Sequence, residues 1–485
     1  MSLPSEHNDK AAVDTWRKEM DSYTRVIRSR RSSPAEKAEA LIYRALTWAK
    51  RAGKGDWQRE LADYSAVISM SDAPAEDRGR ALVLRGITYG DRGRAGDANR
   101  ELADISAVID MPGADADDRA NAMIRRGMLF LLGRQLGDWQ QAEDDLSAVV
   151  EMSDAPAEYR IMALRARIQC YLRRGRADDW QRAIDDSREL LADSTLGLRD
   201  RADTMLWQAY CYSHRQRRGD RKRAIDGYSA VIAMRYAPKS CKAKALVNRG
   251  VQYSKRNGKG NWQRAVDDYS AVIRMRGVDT AAKAKALTNR GCRFDVRGCD
   301  GDQRRAIADY SAVIAMPDAP AHLQSQCLLN RGVCYWRRNA AGDWQRSLKD
   351  HRDLVAMPNA LEEDKTLAYE NIGWTLYEHG RYAESARASR KSLALDPENN
   401  LCRADLALAL LCDGKTAEAI EQFAAFAKAA IDLAEVEDAL GDLKKVRDKR
   451  PDLPGIDKAE SILRRRIAAM KRRAARTNSR AQIIR

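Results

Sequence analysis

The stretch Asp302–Gly342, DQRRAIADYSAVIAMPDAPAHLQSQCLLNRGVCYWRRNAAG, is followed at Asp343 by DWQR, and its opening recurs every 41 residues back along the chain. The steps fall on Asn261, Asp220, Asp179, Asp138, Asp97, Asp56 and Thr15 without a slip. A fixed period of this length marks a repeat architecture. Each unit carries two apolar patterns at helical spacing. Trp57, Leu61, Tyr64, Val67 and Ile68 form one; Leu82, Gly86 and Tyr89 form the other. Strand-like alternation is missing. The Asp, Asn or Thr of the register precedes the first pattern, where a short side-chain oxygen is expected to cap the helix. Arg51, Arg92, Arg174, Arg215, Arg256, Arg297 and Arg338 fall near the end of the other helix, where a cation suits the helix dipole.

One helical hairpin cannot hide its own apolar face, but stacked copies can, which predicts a solenoid. The helix ALVNRGVQY from Ala245 to Tyr253 and the segment GDWQRELADYSAVI from Gly55 to Ile68 resemble the first and second helices of the tetratricopeptide repeat family. The resemblance covers about residues 15–432. It implies an all-α fold, a right-handed superhelix of stacked helix-turn-helix units. That family's unit has 34 residues, and the excess here is expected in the turn and in the link between units. Only from Gly380 to Gly414 does the spacing fall to 34.

Residues 1–14 read as a loose, flexible lead, and 15–29 as a helix of the second type without a partner before it. About ten helix pairs follow, up to residue 432. Residues 433–463 read as C-terminal capping helices, and 464–485 as a basic tail. Pro74, Pro156, Pro238 and Pro320 recur in every second repeat and suit a first helical turn. Net charge is +16, of which nine Lys or Arg lie in Arg464–Arg485 with no acid, leaving +7 for the rest. The tail has three readings: a solvated helix end, a salt-sensitive contact to nucleic acid or anionic lipid, or a dock for an acidic partner. It holds no aromatic residue, so base stacking is unsupported.

The polar start MSLPSEHNDK argues against a secretory signal, and no 18-residue apolar span predicts a membrane helix. Cys170, Cys211 and Cys334 share one repeat position and read as small core residues of a reducing compartment, so a cytoplasmic location is expected. The five His residues show no metal-ligand spacing, and no phosphate-binding loop or nucleophile elbow is present. No catalytic residue, metal site or cofactor is expected.

Two further series stand in the register. Arg44, Arg85, Arg126, Arg167, Arg249, Arg290 and Arg331 each precede an Asp by nineteen residues, from Asp63 to Asp350. The partners vanish together, as Gln208 with Gly227 and as Ile372 with Ala388. Joint loss predicts a partly buried bridge, because removing one partner strands a charge whereas replacing both is nearly neutral. Directly before that Arg stand Asn248, Asn289, Asn330 and Asn371, in four consecutive repeats. An Asn can bond a peptide unit through its acceptor and its donors. The series is similar to the Asn ladder that lines the concave groove of peptide-binding tetratricopeptide arrays. Lys244, Lys285, Lys255 and Arg337 neighbour it, which resembles the Lys/Asn clamp for acidic or carboxylate-ended peptides. The structural alternative is that these Asn bond local backbone.

The expected function is a protein-interaction scaffold or adaptor that holds an extended peptide or protein partner, with residues 240–432 as the binding half. Two alternatives are a nucleic-acid-binding solenoid using its Arg-rich surface and Arg464–Arg485, and a regulatory subunit of a separately encoded enzyme.

Overall fold

The computed structural model describes the backbone of residues 6–131, 139–255 and 260–483, and the side chains among them from 15 to 474. Asp138, Arg256, residues 1–5 and the side chains of the basic tail from 475 lie outside what is described. Among the described residues there are 23 helices and no strand. They fall into two compact units, residues 1–241 and 242–485.

The first unit holds α1 (Glu6–Arg28), α2 (Pro34–Arg51), α3 (Asp56–Ser69), α4 (Ala75–Arg92), α5 (Asp97–Ile109), α6 (Ala116–Leu131), α7 (Trp139–Glu151), α8 (Ala157–Arg174), α9 (Asp179–Ala192), α10 (Leu198–Arg215) and α11 (Asp220–Ala233). Helix α12 (Lys239–Ser254) contains the boundary. The second unit continues with α13 (Asn261–Arg274), α14 (Thr280–Arg297), α15 (Asp302–Ile314), α16 (Ala321–Arg338), α17 (Asp343–Ala356), α18 (Glu362–Glu378), α19 (Tyr382–Leu395), α20 (Asn400–Cys412), α21 (Thr416–Ala429), α22 (Leu433–Lys449) and α23 (Ile456–Ile483). Even-numbered helices from α2 to α20 are the first members of the pairs, and the helix after each is the second. From α2 to α10 and from α14 to α20 each first helix packs on its own second helix, and up to α10 and again up to α20 successive first helices also pack on one another. Helix α1 starts at Glu6, so helical backbone reaches into the stretch expected to be a loose lead.

The extra length of the repeat lies mostly inside the first helix, which corrects the expectation that the connections hold it. Helix α4 has 18 residues where α20, in the 34-residue unit, has 13. Second helices keep 14 residues, as in α3 and α19. Each of the two connections is longer by a single residue. Pro74, Pro156 and Pro320 stand at the N-cap, one residue before the first turn.

The register Asp is not the helix cap either. It is the first residue of the second helix, and the N-cap is a Gly in the left-handed region, as at Gly342 with φ +79°, except before Asp179, where it is Asp178. The carboxylate reaches back to the Arg that ends the preceding helix. Arg338 donates Nε to Asp343 Oδ2 at 2.7 Å and Nη2 to Oδ1 at 2.6 Å, and the Ala340 amide donates to Oδ2 at 3.0 Å. The pair recurs at Arg51–Asp56, Arg92–Asp97, Arg174–Asp179, Arg215–Asp220 and Arg297–Asp302. A charge-assisted, two-pronged bond is worth more than one neutral cap bond, which decides how the carboxylate is used. The same Arg covers a Trp of the previous repeat: the Arg297 guanidinium carbon lies 3.6 Å from the Trp262 ring centre, and that of Arg92 4.6 Å from Trp57. These Arg residues thus latch a turn and tie it to its neighbour, beyond any role beside a dipole.

The core repeats with the register. Tyr64, Tyr228, Tyr269 and Tyr310 are fully buried on second helices. Gly291 lets Tyr310 approach so closely that an added Cβ would lie 2.7 Å from the ring. Cys170, Cys211 and Cys334 are buried with free thiols. Among the described residues no helix is long and apolar enough to cross a membrane, and no three His, Cys, Asp or Glu are placed to hold a metal ion.

Candidate functional site

The seven Arg–Asp bridges are all formed. Arg290 donates Nε and Nη2 to the two oxygens of Asp309 at 2.9 and 2.7 Å, and Arg331 does the same to Asp350 at 2.8 and 2.7 Å. Arg44, Arg85, Arg126, Arg167 and Arg249 make the equivalent pairs. A third bond, absent from the sequence reading, joins repeats. Nη1 of Arg290 donates to Ser270 Oγ at 2.9 Å and that of Arg331 to Ser311 Oγ at 2.8 Å, on the preceding second helix. Where the pair is lost, apolar packing replaces it: Ile372 and Ala388 share one cluster with Leu348 and Leu376. At the other exception, a Cβ on Gly227 would stand 2.9 Å from Ala209 Cβ, so the helices leave no room for a carboxylate.

With those Arg side chains turned to the second helices, the Asn series stands one residue earlier, about 100° round the first helices. Asn248, Asn289, Asn330 and Asn371 lie at one position of α12, α14, α16 and α18, and all are half-buried. None bonds local backbone through its side chain among the described residues. Asn330 Nδ2 reaches the Cys292 sulfur of the preceding first helix at 3.7 Å, a weak acceptor. Asn289 Nδ2 is buried with no partner. Lys244 and Lys285 are exposed four residues before Asn248 and Asn289, and Lys255 is exposed after α12. Arg337 is not a free cation: its Nη1 lies 2.9 Å from Asp295 Oδ2.

At α20 the 34-residue spacing puts Asp405 in the register of Asn371. Burial pushes its carboxyl up to about 7, with Asp442 and Glu370 adding repulsion. Glu370 is raised by burial and accepts a bond from Asn399. Sequence reading missed this end of the series because the unit length changes there.

A second feature was missed. A cavity of about 90 Å³ opens between α16, α17 and α18, lined by Trp336, Ser347, His351, Asn371, Trp374 and Thr375 with Val333. His351 is 1% exposed, and burial lowers its pKa to about 4, so the ring is neutral near pH 7. Its Nε2 lies 3.4 Å from the Leu329 carbonyl, which fits an Nε2–H donor and leaves Nδ1 as an acceptor. Nδ1 and the buried Ser347 Oγ have no partner. Trp336 is steadied by its indole N–H, which donates to Glu378 Oε2 at 2.6 Å. The signal lay in the departures from the two preceding repeats: Ser347 replaces Ala265 and Ala306, His351 replaces Tyr269 and Tyr310, and Trp374 replaces Cys292 and Val333.

In the tail, α23 runs unbroken to Ile483. Lys471 Nζ lies 2.8 Å from Glu437 Oε1 of α22, and Arg466 donates to the Ala430 carbonyl.

Residues 302–444, under a third of the chain, match the model of the bacterial transcriptional activator domain. No curated protein matches the chain. Among solved structures, a tetratricopeptide repeat protein from Parabacteroides merdae aligns at 15% identity over 61% of this chain and 98% of its own, with a TM-score of 0.43. The apo form of RapI aligns at 12% identity over 73% and 98%, with a TM-score of 0.46. The human IFIT1 dimer with PPP-AAAA aligns at 13% identity over 86% and 95%, with a TM-score of 0.37.

Proposed function

We propose that this array of tetratricopeptide-type helix pairs is a protein-interaction scaffold, and that α12, α14, α16 and α18 hold an extended segment of a partner along their exposed face. The observation that carries the reading is the state of the four Asn amides. They stand in register on successive first helices, half-exposed, and among the described residues only Asn330 has a side-chain partner, a sulfur. An amide without an internal partner gains most from a ligand that supplies one. An extended chain rises about 3.3 Å per residue, so amides spaced by packed helices about 8–10 Å apart meet it every few residues. Lys244 and Lys285 add positive charge at the α12–α14 end, and Asp405 is an acid at the α20 end. The matched segment 302–444 falls in the same half.

The nucleic-acid reading gains nothing from the described repeat Arg residues, because they are turned to carboxylates of this chain. The test is capture of peptides from a random display library by the full chain and by Asn289→Ala/Asn330→Ala. Captured peptides should bind the variant at least tenfold more weakly, about 1.4 kcal/mol, with an unchanged melting temperature. Equal binding by both proteins, or a large stability loss in the variant, would make the Asn series structural.

A further inference from the structure

Where one copy of a repeat lacks a side chain that its neighbours carry, the packing leaves a space. The position of the Asn series holds Tyr43, Leu84, Arg125 and Trp207 on α2, α4, α6 and α10, but Ala166 on α8. The residue before it departs as well. Ile42, Val83, Ile124 and Leu206 are buried at that site in the neighbours, whereas α8 has Arg165, whose guanidinium meets Asp200 at 2.6 Å. A cavity of about 210 Å³ lies here between α6 and α8. Its apolar lining is Ile124, Met128, Leu131, Met162 and Ala166. Met128 and Met162 are 44% and 46% exposed, so solvent reaches the lining at two unbranched, adaptable side chains.

The polar lining is Arg165, Gln169 and Arg173, with no acid among them. Arg165 is neutralised by Asp200, but Arg173 has no such partner. Its side chain is exposed, its Nη1 donates to the Leu131 carbonyl at 2.9 Å, and among the described residues no carboxylate meets it. That bond ties the guanidinium to the α6 side of the cavity and leaves Nε and Nη2. The same two nitrogens of Arg290 hold the Asp309 carboxylate while Nη1 meets a neutral oxygen.

We propose that this cavity binds a free aliphatic carboxylate, with an apolar chain of about eight carbons between the helices and the carboxylate on Arg173. The site shares no residue with the Asn series and does not rest on the peptide-binding reading.

Size, charge and setting select that class. An apolar cavity of about 150 Å³ takes a benzene ring, so about 210 Å³ takes a chain of about eight carbons. A carboxylate at Arg173 gains a charge-assisted, two-pronged bond. An ammonium there would face a guanidinium of the same sign. A peptide backbone finds less to hold it. Arg125 is engaged by Glu101 at 3.0 Å and Ala166 has no polar side-chain atom, so the position that offers amides from α12 to α18 offers none here.

The experiment uses the full chain with its methionine methyl groups isotope-labelled, titrated with octanoate, octylammonium and acetate. Octanoate should shift the Met128 and Met162 methyl signals, assigned through Met128→Leu and Met162→Leu. The shift should saturate about tenfold more tightly than with either other probe. Arg173→Gln should weaken octanoate about tenfold and leave octylammonium no worse, because only the head group loses its partner. Ala166→Trp copies Trp207 and should abolish the response with an unchanged melting temperature. If that variant unfolds, Arg173→Gln, at an exposed site, still decides the outcome. No saturable shift with octanoate, an equal shift with octylammonium, or full octanoate binding by Arg173→Gln each overturns the proposal. Tighter binding of the peptide Gly-Gly-Leu with a free carboxylate also overturns it and gives the cavity to a partner's chain end.

Discussion

Arg290 and Asp309 lie nineteen residues apart and meet through two parallel bonds, at 2.9 and 2.7 Å, with the Asp side chain 8% exposed and the Arg 22%. The same Arg reaches Ser270 on the previous second helix. One guanidinium therefore closes its own hairpin and fastens it to the one before. Stability in stacked repeats is the sum of what each unit and each junction contributes, and this residue serves both.

Arg290→Ala or Asp309→Ala should each cost about 3–5 kcal/mol, because the remaining charge is left partly buried. The pair Arg290→Ile with Asp309→Ala copies Ile372 and Ala388 and should cost less than either single change. Denaturant midpoints in a double-mutant cycle measure the coupling, and zero coupling would remove the bridge from the account of joint loss.

Gly291→Ala should destabilise in spite of alanine's better helix propensity. The new methyl meets Tyr310 at 2.7 Å, and overpacking of this kind costs about 1–3 kcal/mol. Thermal melting of Gly291→Ala beside Gly291→Ala/Tyr310→Leu tests the cause, since a smaller partner should recover part of the loss.

Acid should weaken the turn latches in a defined window. The bond from Arg338 holds the Asp343 carboxyl down at about 2, and Arg51, Arg215 and Arg297 lower Asp56, Asp220 and Asp302 in the same way. Their folded values lie below the unfolded ones, so the stability they add is complete above about pH 4 and lost as the pH falls toward 2. Melting curves of Asp343→Asn should lie below the wild type at pH 7 and converge with it near pH 2.

His351 acts over a higher range. Its pKa falls to about 4 in the folded chain against about 6.5 unfolded, so its contribution is complete above 6.5 and declines as the pH drops to 4. The difference in stability between wild type and His351→Tyr should grow by roughly 2–3 kcal/mol in favour of the variant over that interval. A difference that does not change with pH would place the ring in contact with water.

Asp405 has the opposite sign. Burial holds its carboxyl up at about 7 against about 4 unfolded, so stability is full below about pH 4, falls as the pH rises from 4 to 7 and is constant above it. Asp405→Asn should gain about 4 kcal/mol at pH 8 and well under about 1 kcal/mol at pH 4, as read from thermal melts.

How far the sequence could be read differs from residue to residue. The Arg–Asp bridge was legible because a buried charge cannot vary alone, and seven copies with two joint exceptions record that constraint in one chain. The Asp at the start of each second helix was legible as a helix boundary but not in its bonding. N-cap and first-turn positions differ by a single residue, and the choice between them turned on where the Arg five residues earlier could reach. The extra seven residues were countable, yet their place in the first helix depended on how far that helix could continue before meeting its neighbour.

Period, helix content and the inward face of each helix follow from the order of residues alone, because apolar spacing and turn chemistry act within one repeat and are copied ten times. The cavity beside His351 does not, since it is made by side chains from α16, α17 and α18 that are remote in the chain. Ser347 looks innocuous in a string of letters. Only packing shows that Ser347, His351 and Asn371 line the same space, and that among the described residues nothing bonds the Ser347 hydroxyl or His351 Nδ1.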